Sequence, residues 1–344
     1  MTTQTPAITN SAARPFAKKR HRPADVLFHA AVLGAVLIAI GALVWLLSSI
    51  VAAGLPQLDI GFLTDNAASS ARRSGFTSAI RGSLVLMFLT FLIALPIGFG
   101  AAIYLEKLAS HRIDMAATRA NLLRSELASA DERGIGLLGR LLLRARLVWA
   151  RLVPPLNRFV EINISNLAAV PSIIFGLLGL AVFVSLIGLN KSILVGALTL
   201  AMLVLPILII SSREALKAVP VSIEQGAMAL GASRWQAVRG QVVPAAFPGM
   251  LTGAILAMSR AIGESAPLIV VGGVVFGTKI TSVNPLHAGD EALIAMPLQA
   301  FFWASRAQQS FQDLAATGII VLLGVLLMMN AIAIFLRNRS SKRW

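Results

Sequence analysis

Six stretches of this chain are apolar enough and long enough to cross a membrane: 26–51, 80–104, 162–188, 192–211, 245–276 and 314–336. A helix needs about 20 mostly apolar residues to span the hydrocarbon core. Inside the bilayer every backbone N–H and C=O must be satisfied by the protein itself, so such stretches fold as helices. The composition agrees. Hydrophobic residues make up 57% of the chain and charged residues 13%, with a mean hydropathy of +0.80. A soluble domain carries about a quarter charged residues. The expected fold class is therefore an all-α integral membrane protein with about six transmembrane helices.

The net charge is +15. In a soluble chain this would point to nucleic acid. In a membrane protein Lys and Arg record topology, because they accumulate in cytoplasmic loops. Of the 30 basic residues, 23 lie in 1–25, 105–161, 213–244 and the tail after 336. Six crossings put all four segments on one side, so both termini are expected in the cytoplasm. The weakly charged segments 52–79, 189–191 and 277–313 then face outward, and Asn190 and Lys191 mark a tight turn between two spans.

Residues 1–25 read as a disordered basic tail. Residues 26–77 read as a first helix with an outer loop. The apolar run at 26–51 is longer than the 7–15 residues of a signal peptide, and is read as a retained anchor. A main transmembrane domain follows at 78–336, with a cytoplasmic insertion at 105–161 and a loop at 213–244, before a basic tail at 337–344. The insertion mixes ten basic with six acidic residues. Its LLGRLLLRARLVWARL pattern suits either an amphipathic helix on the membrane surface or a solvated helical hairpin. There is no cysteine, which excludes disulfides and thiolate metal sites. His21, His29, His111 and His287 show no metal-ligand spacing.

The loop PVSIEQGAMALGASRWQAVRGQVVP at 220–244 has internal order. Ser222 precedes Gln225 by three residues, and Ser233 precedes Gln236 by three. Both fit a capping box. Gly231 stands where a left-handed C-terminal residue is expected, and Pro244 is expected to end the second helix. Ile223, Ala227 and Leu230 fall on one face of the first helix. A DNA-binding helix–turn–helix fits poorly, because membrane spans pin the loop at both ends. No nucleic-acid partner is expected.

This loop resembles the coupling loop of ABC importer permeases, whose pattern is E-A-A, three residues, G, and I-x-L-P nine residues later. Gln225, Gly226 and Ala227 stand at the E-A-A positions, Gly231 at the glycine, and Gln241-Val242-Val243-Pro244 at I-x-L-P. Gln225 lacks the charge of the family's glutamate, and Glu224 lies one position earlier. With LPIGFGAAIYLEK at 95–107, AVPSIIFGLLGLAVFV at 169–184 and ILAMSRAIGESAPL at 255–268, the chain from about residue 78 onward resembles the PstA-type permease of phosphate ABC importers.

The resemblance implies a type I ABC importer permease fold in a bacterial cytoplasmic membrane. It implies ATP-driven import of inorganic phosphate, with this chain as a permease subunit and not an enzyme. The implied partners are a second permease of the PstC type, two copies of an ATP-binding subunit of the PstB type, and a phosphate-binding protein of the PstS type, with membrane lipid around the spans. Glu224, Gln225, Gly226, Ala227, Gly231 and Pro244 would then be the ATPase-coupling residues. The chain contains no G-x-x-x-x-G-K-[ST] motif, so ATP and Mg belong to the ATPase partner and no cofactor is expected here. Permeases for phosphonate, sulfate or molybdate are the alternative. A secondary transporter would show an inverted repeat, and a membrane enzyme would need a cluster of reactive side chains. Neither is evident in the sequence.

Arg260 and Glu264 fall inside the fifth apolar stretch. A charge at the centre of a membrane helix costs about 2.5–3.5 kcal/mol on insertion scales and marks a candidate functional site. The i,i+4 spacing puts the two on one face, with the arginine first, the less favourable order. Guanidinium matches phosphate oxygens in a bidentate fork. Arg260 is therefore read as a transient anion contact held by Glu264, against a reading as a packing salt bridge; the resemblance implicates both residues in transport. Gly249 with Gly253, and Gly273 with Gly277, have the spacing of close helix contacts. Pro171 and Pro206 are candidate kinks. Arg81 reads as an interfacial arginine, Arg213 and Glu214 as a membrane boundary, and Trp303 as an interfacial or partner-facing residue.

Overall fold

The computed structural model describes residues 23–68, 70–109, 121–127, 137–272, 289 and 292–340. The chain divides into two compact units, Met1–Ser49 and Ile50–Trp344. Helix α1 (Pro23–Gly54) forms the described part of the first unit, and its last turn belongs to the second. Its apolar side chains, among them Phe28, Leu37 and Trp45, are exposed, as a lipid-facing helix requires.

The described part of the second unit is helical. It contains α2 (Ile60–Thr64), α3 (Thr77–Ile103), α4 (Leu137–Ala168), α5 (Ser172–Gly179), α6 (Ile193–Lys217), α7 (Val221–Ala229), α8 (Arg234–Ala237), α9 (Val243–Gly263), α10 (Ala266–Val271), α11 (Met296–Ala304) and α12 (Gln309–Ser340). Among the described residues five helices, counting α1, are long and apolar enough to cross a membrane, or six with a bent pair taken as one span. The span expected at 162–188 is bent, at the kink expected of Pro171. Arg158–Ala168 and Ser172–Leu186 meet at 109°. Pro171, with ψ 136, stands at the N-cap of α5. A residue preceding proline is pushed out of the helical region, so the chain turns there. Pro206 instead lies inside the unbroken α6.

Helix α6 is the spine, packed along α3 on one side and α9 on the other. Small residues bring the axes together. A Cβ on Gly249 would lie 2.8 Å from Ala215 Cβ, and one on Gly253 would collide with Ser211. The pair thus makes the close contact that its spacing allows, rather than standing as ordinary small residues in a span; Gly273 and Gly277 lie outside the described residues. Three apolar clusters run along the unit. Phe62, Phe76, Ile193 and Trp303 anchor the first. Phe175, Leu203 and Ala257 belong to the second. Leu105, Leu216, Val242 and Met250 belong to the third, beside the α7–α8 loop.

One further expectation changes. Trp303 is fully buried, with its ring 5.5 Å from that of Phe76 and 6.1 Å from that of Phe62. It is core, because those rings enclose it. The tail expected from 337 begins as helix, since α12 continues to Ser340. At the other end of this unit the Thr317 hydroxyl donates to Gly54 O at 2.9 Å, fastening the end of α1 to α12.

Candidate functional site

The fifth apolar stretch is not one helix through 276. Helix α9 ends at Gly263, Glu264 is extended at φ −79 and ψ 113, and the short α10 follows, with a proline in its first turn. Residues 273–276 lie outside the described residues. Arg260 therefore sits in the last turn of α9 and not at a helix centre. A cation there is favoured by the helix dipole, which the expected order penalty did not allow for. Arg260 Nε lies 3.2 Å from Glu264 Oε1. The arginine side chain is 45% exposed and that of the glutamate 18%. One position earlier, the Ser259 hydroxyl is placed between Ile255 O and Asn330 Oδ1 of α12. Asn330, a polar residue in the apolar run of α12, was not singled out by its sequence context.

The 220–244 loop forms two helices, as its pattern suggests. Gly231 has φ +91. Its N–H donates to Met228 O at 3.0 Å and that of Ala232 to Ala227 O at 3.2 Å, the Schellman arrangement. The capping box at Ser233 and Gln236 is complete, with distances of 2.8 and 3.4 Å. The one expected at Ser222 and Gln225 is absent. Pro220 holds the N-cap position, so Ser222 is already inside α7. Pro244 does not end the second helix either. A π turn at Val238–Val242 leads directly into α9, giving one apolar helix over Arg234–Gly263. Pro244 sits in the first turn of α9 behind the π turn, where a missing N–H is tolerated.

The face expected from Ile223, Ala227 and Leu230 divides. Ile223 and Ala227 are half-buried, while Leu230 is 92% exposed. Gln225 and Gly226 are exposed, as are Val221, Met228 and Trp235. Glu224 turns inward and is 6% exposed. Its Oε2 lies 3.2 Å from Lys107 Nζ, and its Oε1 lies 3.5 Å from Arg234 Nε. Lys107 belongs to a π turn, Tyr104–Ala109, that prolongs α3.

Beside it, Glu106 Oε2 accepts from Arg213 Nε at 3.2 Å, and Arg213 Nη2 donates to Glu161 Oε1 at 3.0 Å. Arg213 is thus a half-buried tie between the turn after α3, α4 and α6. Neither network was foreseen, since its members are separated in sequence by up to 117 positions. Arg81 is exposed near the start of α3.

A protein-family model described as the binding-protein-dependent transport system inner membrane component matches residues 145–342. The chain is similar to the probable ABC transporter permease protein YqgI of Bacillus subtilis (strain 168), with 27% identity over 278 residues, 80% of each chain. It is similar to the phosphate transport system permease protein PstA of Xylella fastidiosa (strain Temecula1 / ATCC 700964), with 27% identity over 293 residues, 85% of each chain. Among solved structures it is similar to an inward-facing MetNI methionine ABC transporter chain, with a TM-score of 0.47 and 15% identity, over 77% of this chain and 97% of that one.

Proposed function

Since the chain belongs to the family of binding-protein-dependent transport system inner membrane components, we propose that it is the permease subunit of an ATP-driven importer of inorganic phosphate. It would form the pathway with a second permease, receive the anion from a phosphate-binding protein and be driven by two copies of an ATPase subunit. The relatives named for phosphate transport support the substrate. The observation that carries the reading is Arg260. Its side chain is almost half exposed at the end of a largely apolar helix, with Glu264 against one edge of the guanidinium.

An anion can take the place of the carboxylate on a guanidinium fork, so the arginine stays paired while Glu264 is released. A contact shared in this way stays weak enough to release the ion onward. The exposed apolar residues of the loop, Val221, Met228, Leu230 and Trp235, suit a face covered by the ATPase. Gln225 and Gly226 are exposed beside them.

The test is uptake of radiolabelled phosphate in cells lacking their own importer. The cells express this chain with its partners, as wild type or Arg260→Gln, and assembly is checked by pull-down of the ATPase. Uptake by the wild type alone, with both forms assembled, is the expected result. Equal uptake by both would leave the pair as packing. No phosphate uptake by an assembled wild type would favour another oxyanion.

A further inference from the structure

Glu106 and Lys107 are consecutive residues in the π turn at the end of α3, yet they serve different networks. Glu106 binds Arg213 of α6, which also binds Glu161 of α4. Lys107 binds Glu224 of α7, which also faces Arg234 of α8. One turn of one helix therefore touches the loop on one side and two bundle helices on the other.

Three observations set the Lys107–Glu224 pair apart from a surface ion pair. Both residues are buried, at 9% and 6% exposure, and buried charges persist only when paired. Arg234 Nε is also buried with no hydrogen-bond partner, and lies 3.5 Å from the same carboxylate, with 29% of the arginine side chain exposed. The pair also sits on a π turn, a feature concentrated at functional sites. Stability alone gives little reason for charges here, since apolar residues of similar volume commonly replace a buried pair without loss.

Resting on the reading of the chain as an ATPase-driven permease, we infer that the Lys107–Glu224 pair is the joint that passes movement of α7 and α8 to α3, and onward through Glu106, Arg213 and Glu161 to α6 and α4. Separating the pair would strand two charges out of water. A displacement of the loop therefore carries the end of α3 with it. Lys107 and Glu224 are positioning residues in this scheme and do not touch the transported anion.

The test uses the complete importer reconstituted in proteoliposomes, as wild type, Glu224→Gln, Lys107→Met and Lys107→Arg. It measures ATPase retained on pull-down, hydrolysis with and without phosphate-loaded binding protein, and phosphate imported per ATP. Glu224→Gln and Lys107→Met should keep the ATPase and its basal hydrolysis, while anion imported per ATP falls about fivefold or more. Lys107→Arg should restore most of that ratio. An unchanged ratio in an assembled Glu224→Gln importer would overturn the joint. Loss of the ATPase from the glutamine variant, with the ratio intact in the remaining complexes, would overturn it equally by making the pair an assembly contact. A wild type that imports no phosphate but hydrolyses ATP faster with loaded binding protein would fail the substrate reading alone. The joint would then be judged on that stimulation, which must be lost in Glu224→Gln and kept in Lys107→Arg.

Discussion

Lys107 Nζ lies 3.2 Å from Glu224 Oε2, although 117 positions separate the two in the chain. The contact reverses the natural expectation for Glu224. An acidic residue beside the exposed Gln225 would be expected to meet a partner protein. Instead its carboxylate is held within this chain by Lys107 and Arg234, and the exposed face of the loop is mainly apolar and uncharged. Glu224 therefore ties α7 to the end of α3 and to α8, and leaves the outward face of the loop to uncharged residues.

Arg213 should matter as much for stability as for position. In Arg213→Met, Glu106 and Glu161 lose their common partner. Glu106 is 18% exposed and Glu161 38%, so water compensates the second more than the first. The expected loss is about 1–3 kcal/mol, read as a lower unfolding temperature of the purified subunit. A smaller additional loss when Glu106→Gln is added would show that the two share one interaction. An unchanged unfolding temperature would show that the network contributes nothing.

Gly231 isolates backbone strain from sterics. At φ +91 a Cβ there would meet nothing within 4 Å, so any penalty comes from the left-handed conformation. Gly231→Ala should cost about 1–2 kcal/mol. Gly231→Asn should cost less, because asparagine tolerates that region. The order glycine, asparagine, alanine should appear in thermal stability. Alanine matching glycine would contradict the conformational account.

Gly253 tests the approach of α9 to α6. A Cβ there would collide with Ser211, while one on Gly240 meets nothing within 4 Å. Gly253→Ala should lower the yield of folded subunit and its unfolding temperature. Ser211→Gly added to it should recover part of the loss, and Gly240→Ala should be mild. Equal behaviour of the two alanine variants would mean that the helices can separate without cost.

Trp303 distinguishes a buried core residue from a partner-facing one. Trp303→Ala should destabilise by about 3–5 kcal/mol. Trp303→Phe should cost much less, since it keeps the ring among Phe62 and Phe76 and removes an indole N–H that has no acceptor. A fully stable Trp303→Ala subunit that instead failed to respond to the binding protein would return the residue to the surface.

The sequence by itself determined the helical membrane architecture, because long apolar runs without water have no other way to satisfy their backbone. It also determined the local chemistry of the loop. Gly231 and the Ser233–Gln236 box act within a few residues, where spacing is geometry. It did not determine where helices end when tertiary contacts or neighbouring turns compete with local signals. Pro244 did not end the second helix of the loop, which runs on through a π turn into α9, whereas Pro171 did break its span. Nor could it pair Lys107 with Glu224, Arg213 with Glu106, or Ser259 with Asn330, since charge and polarity along a chain carry no record of which helices will lie together. Helix packing decided those partners, α6 against α3 for Arg213 and α9 against α12 for Ser259. It did so because small residues such as Gly253 let the axes approach until buried polar groups had either to meet one another or to remain unpaired.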